Sequence, residues 1–416
     1  MQACSEIVIP TEVARAPYVA PYVPPHVPGE PYPRGYRAQL DPVAARRLKE
    51  LHVTQFWRPA GRALATHATA FTLMLAFCWL ATINLALALL LALPAGVLMA
   101  REMRVLELLV HNASHRNWTR NKPLNDIASA LLCGLPMASS IEAYWESHRI
   151  HHHEFGSTKD PDRAGFEFLG PLDLADKRAT VKWLVRYAIQ YYLAIGASPK
   201  FLAASLAWHC LVYILPLSLI AGPALALGAW AALWLFPMLT FLSALRAIAE
   251  REEHDYELGT TEFTATFTNI ARAHRILFHP WNDHYHLLHH LYAGIPQFNH
   301  VEAHALLMAH DPEYRKCRAR IAILGAPVPA EDVPGLGRGL GRGLGRGLGR
   351  GQMPPRADQP AAEHEARPMP HDRPRKPQTP DRPVRAPFLV HTGGRAQQPD
   401  LPTLDAPPLF DQPERG

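Results

Sequence analysis

The chain of 416 residues is 48% hydrophobic and carries a formal net charge of +5, which is too mild to indicate nucleic acid as a partner. A chain of this length could form two or three soluble domains, but its apolar residues are concentrated in two long blocks. Its five cysteines lie far apart with no CxxC pair, so the sequence indicates neither a disulfide framework nor a zinc ribbon.

Residues 1–40 are rich in proline and contain the tripeptide Pro-Tyr-Val twice. A segment with so little apolar content favours extended conformations and cannot pack, so we predict a disordered leader rather than a docking motif. Residues 41–60 regain helix formers, with basic residues ahead of Phe56 and Trp57. This pattern predicts an amphipathic helix at a membrane surface, at the start of a catalytic domain that we place at residues 41–325.

Residues 63–100 contain no Asp, Glu, Lys or Arg, and this block is long enough for two crossings of a bilayer at ~20 residues each. We therefore predict two spans joined by a tight turn near residues 81–84. If the second span is helical from residue 85 to residue 115, its length of roughly 45 Å exceeds the hydrocarbon core. The motif HxxxH, with His111 and His115, then stands clear of the lipid.

The mixed segment 116–200 contains an apolar patch at 127–139 that is too short to span a bilayer. We expect this patch to lie along the membrane surface. The second motif, HxxHH, follows it directly and contains His148, His151 and His152.

A loop with the sequence Gly-Ser-Thr-Lys-Asp-Pro-Asp follows the second motif. Its acids, Asp160 and Asp162, are placed where they could accept the second ring N–H of ligating histidines. The alternative interpretation is a plain turn with solvated acids.

A second block without Asp, Glu, Lys or Arg covers residues 201–245 and is broken by Ala-Gly-Pro at 221–223, which predicts spans three and four. Two hairpins return the chain to its starting side each time, so all the histidine motifs end on one face. Lys and Arg are abundant on that face and absent from both hairpin turns. The positive-inside bias therefore makes the motif-bearing side and both termini cytoplasmic.

The third motif is another HxxHH, with His286, His289 and His290. His254, just after the fourth span, could supply a further ligand, and a surface histidine among acids is the alternative. His209 lies in the middle of the third span, where an ionisable residue is functional by default. We interpret it instead as one neutral imidazole bonded to a neighbouring helix.

The last segment, residues 326–416, contains Gly-Leu-Gly-Arg four times in succession and is otherwise rich in Pro, Arg, Asp and Gln. It cannot bury a core, so we predict a disordered tail. Contact of its arginines with anionic lipid or an acidic partner is the alternative.

The spacing of the histidines explains why the three motifs belong together. Residues three and four apart share one helix face, so HxxxH aims two imidazoles the same way and HxxHH aims two or three. Structural zinc is satisfied by four ligands and usually recruits thiolates, but no cysteine accompanies any motif. Eight or nine imidazoles suffice for two metal ions of higher coordination number. We therefore predict an all-α integral membrane protein, with four transmembrane helices in two hairpins and a cytoplasmic helical cap that holds a His-rich di-metal site.

Ligand type does not choose the metal, because imidazole suits iron as well as zinc. A substrate that lives in the bilayer offers few groups for hydrolysis but many unactivated C–H bonds. Breaking such bonds takes a metal that can reduce and cleave dioxygen. Iron has this redox chemistry and zinc does not.

The three motifs and their flanks resemble the membrane fatty acid desaturase family over roughly residues 50–310. The family pattern reads here as HNASH, then HRIHH with GSTKDPD, then HLLHHLYAGIP, with Ala293 where the family commonly has proline. Glu253-His254 resembles the Glu-His that supplies an extra ligand in many bacterial members. The resemblance implies that the following residues are di-iron ligands and form the catalytic centre: His111, His115, His148, His151, His152, His286, His289 and His290.

The resemblance implies an oxygen-dependent desaturase that introduces a C=C bond into a fatty acyl chain or related lipid, with two iron ions as cofactor and dioxygen as co-substrate. We expect electrons from a separate protein, a ferredoxin or a small haem cytochrome with its reductase, and a cationic cytoplasmic face would suit an acidic partner. The alternatives are a hydroxylase or ketolase acting on a carotenoid-like lipid, and a desaturase of a small amino-acid-derived metabolite. A non-catalytic metal-binding or scaffold protein in the membrane is a further alternative.

Overall fold

The computed structural model describes residues 36–194, 198–333 and Leu336. Most of the predicted Pro-rich leader and the repeat-containing tail lie outside these residues, so the predictions made for them stay predictions. Within the described part of the chain, four helices are long and apolar enough to cross a membrane, and we number them spans 1 to 4. They are Trp57–Ile83, Leu85–Ser114, Pro199–Ala221 and Pro223–Glu253. This confirms the number of candidate spans that the two charge-free blocks predicted.

Single residues separate span 1 from span 2 and span 3 from span 4. Asn84 has an extended backbone, and its side chain accepts a hydrogen bond from the Leu87 amide, so it caps the first turn of span 2. Gly222 has a φ of +85° and is followed by Pro223 in the first turn of span 4. Both breaks lie where the sequence predicted them.

The four spans share one apolar core, to which all of them contribute buried side chains such as Met74, Met99, Tyr213 and Trp234. On the outside of the bundle, large apolar side chains stay exposed, among them Leu90 and Leu219. A soluble protein rarely exposes such a continuous apolar surface. The burial pattern is that of a bundle surrounded by lipid.

The upper part of span 2 is packed inside the protein. Glu102 and Arg104, two charged residues that precede the first histidine motif on this helix, are both buried. Glu102 pairs with Arg62 of span 1 at 2.6 Å, and Arg104 pairs with Glu253 of span 4 at 3.1 Å. The end of the helix is therefore surrounded by other protein segments, and both of these buried charges have a partner.

We refer to the remaining, shorter helices of the described residues as the cap; two of them carry the second and third histidine motifs. Its α-helices are Pro42–Glu50, Lys122–Ser129, Ile141–His153, Pro161–Leu169, Lys177–Ala194, Glu262–Ala265, His286–Leu291 and His300–His310. Two π-helical turns, Ala130–Gly134 and His274–Phe278, and three 3-10 turns, Gln297–Asn299, Tyr314–Lys316 and Ala330–Asp332, join them.

The amphipathic helix predicted at residues 41–60 is shorter in the structure. Asp41 caps the helix Pro42–Glu50 by accepting hydrogen bonds from the Val43 and Ala44 amides. The apolar face of this helix buries Leu48 in a second core with Leu287 and Leu307. The helix therefore packs on the cap, because burying its apolar face in this core removes that face from water.

A small three-stranded sheet departs from the all-α prediction. Strand β1, Thr268–Asn269, pairs in parallel with β2, Arg318–Arg320, and β2 pairs antiparallel with β3, Val328–Pro329. The protein is thus mostly helical. Strand β3 and the contact of Tyr36 with Asp311 both belong to the packed part of the protein. This packed part therefore extends beyond residues 41–325 at both ends.

Candidate metal centre

The three motifs reach the same place from three different helices. His111 lies in the last turn of span 2, and His115 directly follows that helix. The second motif ends the helix Ile141–His153, whose first turn Ser140 caps by accepting from the Ala143 amide. The third motif forms the short helix His286–Leu291.

Five histidines from all three motifs form the first set. In chain order they are His111, His115, His148, His152 and His289. Their Nε2 atoms make a connected series: 2.8 Å from His111 to His289, 3.0 Å from His289 to His152, 3.0 Å from His152 to His148, and 3.0 Å from His148 to His115.

The other four histidines form the second set: His151, His254, His286 and His290. The Nε2 atoms of His151 and His290 are 3.3 Å apart, and those of His254 and His286 are 3.1 Å apart. The ring centroids of His254 and His290 lie 4.8 Å apart, which joins the two pairs. The sets are neighbours, because the rings of His152 and His290 are separated by only 4.5 Å.

These contacts fit a shared metal better than hydrogen bonds between histidines. A neutral imidazole carries either one proton or one lone pair on Nε2, so that atom forms one in-plane hydrogen bond. The Nε2 atoms of His148 and His152 each have two histidine neighbours at 3.0 Å. Ligands about 2.1 Å from a metal and at right angles to each other lie about 3.0 Å apart. Both sets therefore have the donor type and spacing that a metal ion requires.

The protonation state of most of these rings also suits metal binding, which requires neutral imidazole. Burial lowers the pKa of the following rings well below the usual value: His115, His148, His152, His254, His289 and His290. Burial likewise lowers the pKa of His286 to about 4. His151 differs, because burial acts to lower its pKa but Asp162 and Asp160 raise it to about 9.

Asp160 orients His151. Its Oδ1 lies 2.9 Å from His151 Nδ1, and its Oδ2 accepts from the Gly156 amide at 2.9 Å. Burial acts to raise the pKa of Asp160, but His151 and the two neighbouring amides outweigh burial and lower it. The carboxylate therefore holds the ring with Nε2 turned to the second set. Asp162, the other acid of this loop, is 3.4 Å from the same nitrogen.

The sequence did not identify two further residues that face histidines of the two sets. Asp283 Oδ1 lies 3.7 Å from His111 Nδ1, and Thr266 Oγ1 lies 3.1 Å from His254 Nδ1. Burial acts to raise the pKa of Asp283, but His111 and His279 hold it well below the usual value. In the sequence, only the position of Asp283 three residues before His286 could have pointed to it. Nothing in the sequence points to Thr266, because an antiparallel bridge brings it next to His254.

Other histidines of the chain lie outside both sets. His153, next to the second motif, is largely exposed. His209 accepts from Trp230 Nε1 through Nδ1 at 3.3 Å, and its Nε2 is 3.1 Å from the Pro136 carbonyl. One accepting and one donating nitrogen describe the neutral ring that we predicted, bonded to neighbouring segments.

We expect Gly156→Ala to destabilise the second set. Gly156 has a φ of +68°, and a Cβ there would lie 2.3 Å from the Thr260 carbonyl oxygen. Either the backbone at Thr260 or the loop that carries Asp160 must then shift. Gly170→Ala is the matched control, because Gly170 has a φ of +74° and nothing lies within 4 Å of its added Cβ. The control should be destabilised by about 1–3 kcal/mol and keep its metal, as measured by thermal unfolding and metal analysis. Equal metal content in both variants would contradict the role of this contact.

Comparison with known proteins agrees with the geometry of the site. The family described as Fatty acid desaturase matches residues 84–320, which is more than half of the chain and includes all three histidine motifs. The chain is also 26% identical over 247 residues to the dihydrorhizobitoxine desaturase of Bradyrhizobium elkanii, over 54% of this chain and 70% of that protein. Both matches, together with four apolar helices and the histidine sets, indicate a membrane oxidoreductase of the desaturase type. The chain belongs to the fatty acid desaturase family.

Proposed function

We propose that this protein is an oxygen-dependent desaturase that introduces a C=C bond into a fatty acyl chain or related lipid, using two iron ions held by the two histidine sets. The observation that carries the proposal is the convergence of nine Nε2 atoms into two adjacent sets. Membership of the desaturase family supports the reaction type.

Each histidine set would hold one of the two iron ions. The first set would hold one ion through five imidazoles and the second set the other through four. A pair of bound iron ions supplies the redox chemistry that activates dioxygen, which zinc cannot supply. Asp160 and Thr266 fix the orientation of His151 and His254 through the Nδ1 atoms.

Two aromatic side chains pack against histidines of the first set. The ring of Tyr144 stacks on His148 at 5.1 Å, and the ring of Trp145 packs edge-on against His115 at 5.3 Å. Excluding water from a site that activates oxygen protects the reacting groups from side reactions. We expect the substrate to approach along this apolar wall.

A second candidate concerns the substrate. The similar protein of Bradyrhizobium elkanii is named for dihydrorhizobitoxine and not for a fatty acid. This name favours, as the second candidate, a desaturase of a small metabolite such as an amino-acid derivative. A hydroxylase or ketolase of the same family is a third candidate, because the same kind of centre can insert oxygen.

Mass spectrometry of lipids and metabolites from a host with and without the protein tests the reaction. Loss of two hydrogens from one compound is expected, whereas gain of one oxygen would indicate hydroxylation. Metal analysis of the purified protein should find two irons per chain. Stoichiometric zinc with full turnover would contradict the assignment of iron.

We propose that the metal-binding side and both termini are cytoplasmic. Cysteine labelling tests this, with the parent chain as the blank. Single cysteines at Gln55, Lys159 and Glu257, all exposed, should react from the cytoplasmic side. Cysteines at Ile83 and Pro223, beside the breaks between spans, should react from the other side. If positions 159 and 257 label from opposite sides, the three motifs cannot share a site.

Electrons would come from a separate donor, a ferredoxin or a small haem cytochrome with its reductase. Exposed basic residues in the cap, such as Arg46 and Arg149, would suit an acidic partner. Purified protein should therefore turn over only when a donor is added.

A further inference from the structure

A third cluster of possible metal ligands lies outside both histidine sets. One carboxylate oxygen of Glu252 and one ring nitrogen each of His274 and His279 lie within 4.8 Å of one another. All three residues are completely buried. Two imidazoles and a carboxylate are donors that zinc and iron accept in proteins. None of the three residues belongs to a histidine motif.

The contact between Glu252 and His274 has the geometry of two ligands and not of a hydrogen bond. Glu252 Oε2 lies only 2.7 Å from His274 Nδ1. Neither atom has a hydrogen-bond partner within the described residues, because the oxygen lies out of line with an N–H on this nitrogen. Two ligands of one metal ion are related in this way, since each directs its lone pair at the ion and not at the other ligand.

Glu252 also lacks a basic partner, although it is buried. The next residue, Glu253, pairs with Arg104 at 3.1 Å. Among the residues that the structure describes, no Lys or Arg forms an ion pair with Glu252, and its Oε1 accepts a hydrogen bond from the Leu324 amide. A buried carboxylate is costly unless a positive charge offsets it. A metal cation beside Oε2 supplies that charge.

His279 is held in the orientation of a metal ligand. Its Nδ1 lies 3.4 Å from Glu253 Oε1 and 3.5 Å from Asp283 Oδ2. Burial acts to lower the pKa of His279, but Asp283 and Glu253 raise it to about 9. Carboxylates that face the proton on Nδ1 leave Nε2 for a metal ion, which is the arrangement of Asp160 and His151 in the second set.

Asn269 offers a fourth donor. It is completely buried, and its amide nitrogen lies 3.4 Å from His279 Nε2 and donates to the Glu252 carbonyl at 3.1 Å. Its Oδ1 has no hydrogen-bond partner in the described part of the chain. One carboxylate, two imidazoles and one amide oxygen complete the four ligands of a closed zinc site. Because all four residues are buried, no position stays open for a substrate.

We propose that a third metal ion, a structural zinc, is bound by Glu252, Asn269, His274 and His279. These residues come from the end of span 4, from strand β1 and from the π-helical turn His274–Phe278 with the residue after it. The ion therefore joins span 4 to the segment that leads into the third histidine motif. Zinc has no redox chemistry, so it stays inert beside a centre that activates oxygen. The inference does not depend on which reaction the two histidine sets catalyse.

Metal analysis of the purified, iron-loaded protein tests the site. One zinc ion per chain is expected in addition to the two irons of the histidine sets. His274→Ala and Glu252→Gln should each lose this zinc and keep both irons. Their midpoints of thermal unfolding should also fall, because a structural zinc contributes to folding. Glu252→Gln keeps the size of the side chain and an oxygen for the Leu324 amide, so it guards against a variant that fails to fold.

His304→Ala is the matched control. His304 is another buried histidine of the cap, and its Nδ1 lies 2.9 Å from the Tyr314 hydroxyl. It belongs to none of the three clusters of ligands that the described residues form. This variant should keep its zinc even if it loses stability. X-ray absorption at the zinc edge of the parent chain needs no variant and should show imidazole and oxygen ligands without sulfur.

The outcomes separate this inference from the proposed function. A parent chain that holds only two metal ions, whatever their identity, overturns the third site, and Glu252 and His274 are then a buried ion pair. A third ion that both variants retain lies elsewhere and overturns it as well. Zinc in place of iron, or a lack of oxygen-dependent turnover, contradicts the proposed function alone. Zinc beside two irons that is lost only from His274→Ala and Glu252→Gln supports the third site.

Discussion

Replacing His289 with alanine is expected to reduce turnover to background and to lower the iron content from two ions per chain to about one. His289 Nε2 lies 2.8 Å from His111 and 3.0 Å from His152, so it connects motifs from two other helices within the first set. His151→Ala should act in the same way on the second set. Membrane insertion should be unchanged, because both side chains lie outside the spans.

The control for these variants is His153→Ala. His153 belongs to the same run of histidines as His151 but is exposed and outside both sets. Iron analysis and oxygen-dependent turnover of the three variants, at equal amounts of inserted protein, give the comparison. Equal activity of His289→Ala and His153→Ala would refute the assignment of the first set.

Replacing Asp160 with asparagine should lower metal affinity or turnover by about 10–100-fold, the usual effect of losing a group that orients a metal ligand. Asparagine still caps the helix Pro161–Leu169, so the local fold should survive. What is lost is the negative charge 2.9 Å from His151 Nδ1. Without it the ring is a weaker ligand and is less firmly oriented.

Asp176→Asn is the matched control for this variant. Asp176 accepts hydrogen bonds from the Arg178 and Ala179 amides at the start of the helix Lys177–Ala194, is exposed, and contacts no histidine among the residues that the structure describes. Its replacement should leave iron content and turnover as they are. If both variants lose activity to the same extent, Asp160 acts only as a helix cap.

Much of the architecture could be predicted because its signals are local. A charge-free block of double length predicts two spans whatever the rest of the chain does, and the breaks at Asn84 and Gly222 follow from residues that favour non-helical backbone. The spacing inside each motif likewise determines that its histidines share one helix face.

Other features could not be predicted, because they depend on distant parts of the chain. The sheet pairs Asn269 with Arg320, and strands of two or three residues have no readable period. The packing partners of the helix Pro42–Glu50 could not be predicted either, because the core that buries its Leu48 comes from Leu287 and Leu307. The pairing of Glu102 and Arg104 with other spans could not be predicted either, because a charged residue in a sequence indicates contact with water unless its partner is known.

The sequence by itself determined the four candidate spans, the three histidine motifs and the family, since hydropathy and helical spacing are properties of short segments. Only the tertiary structure decided how the histidines divide into two sets. His111 contacts His289, which lies 178 positions away in the chain. His148 and His151 of the second motif belong to different sets, because their rings face different histidines. The same packing brings Asp283 and Thr266 next to histidines of the two sets. Such contacts are set by how helices and loops fit together in three dimensions, which no local pattern specifies.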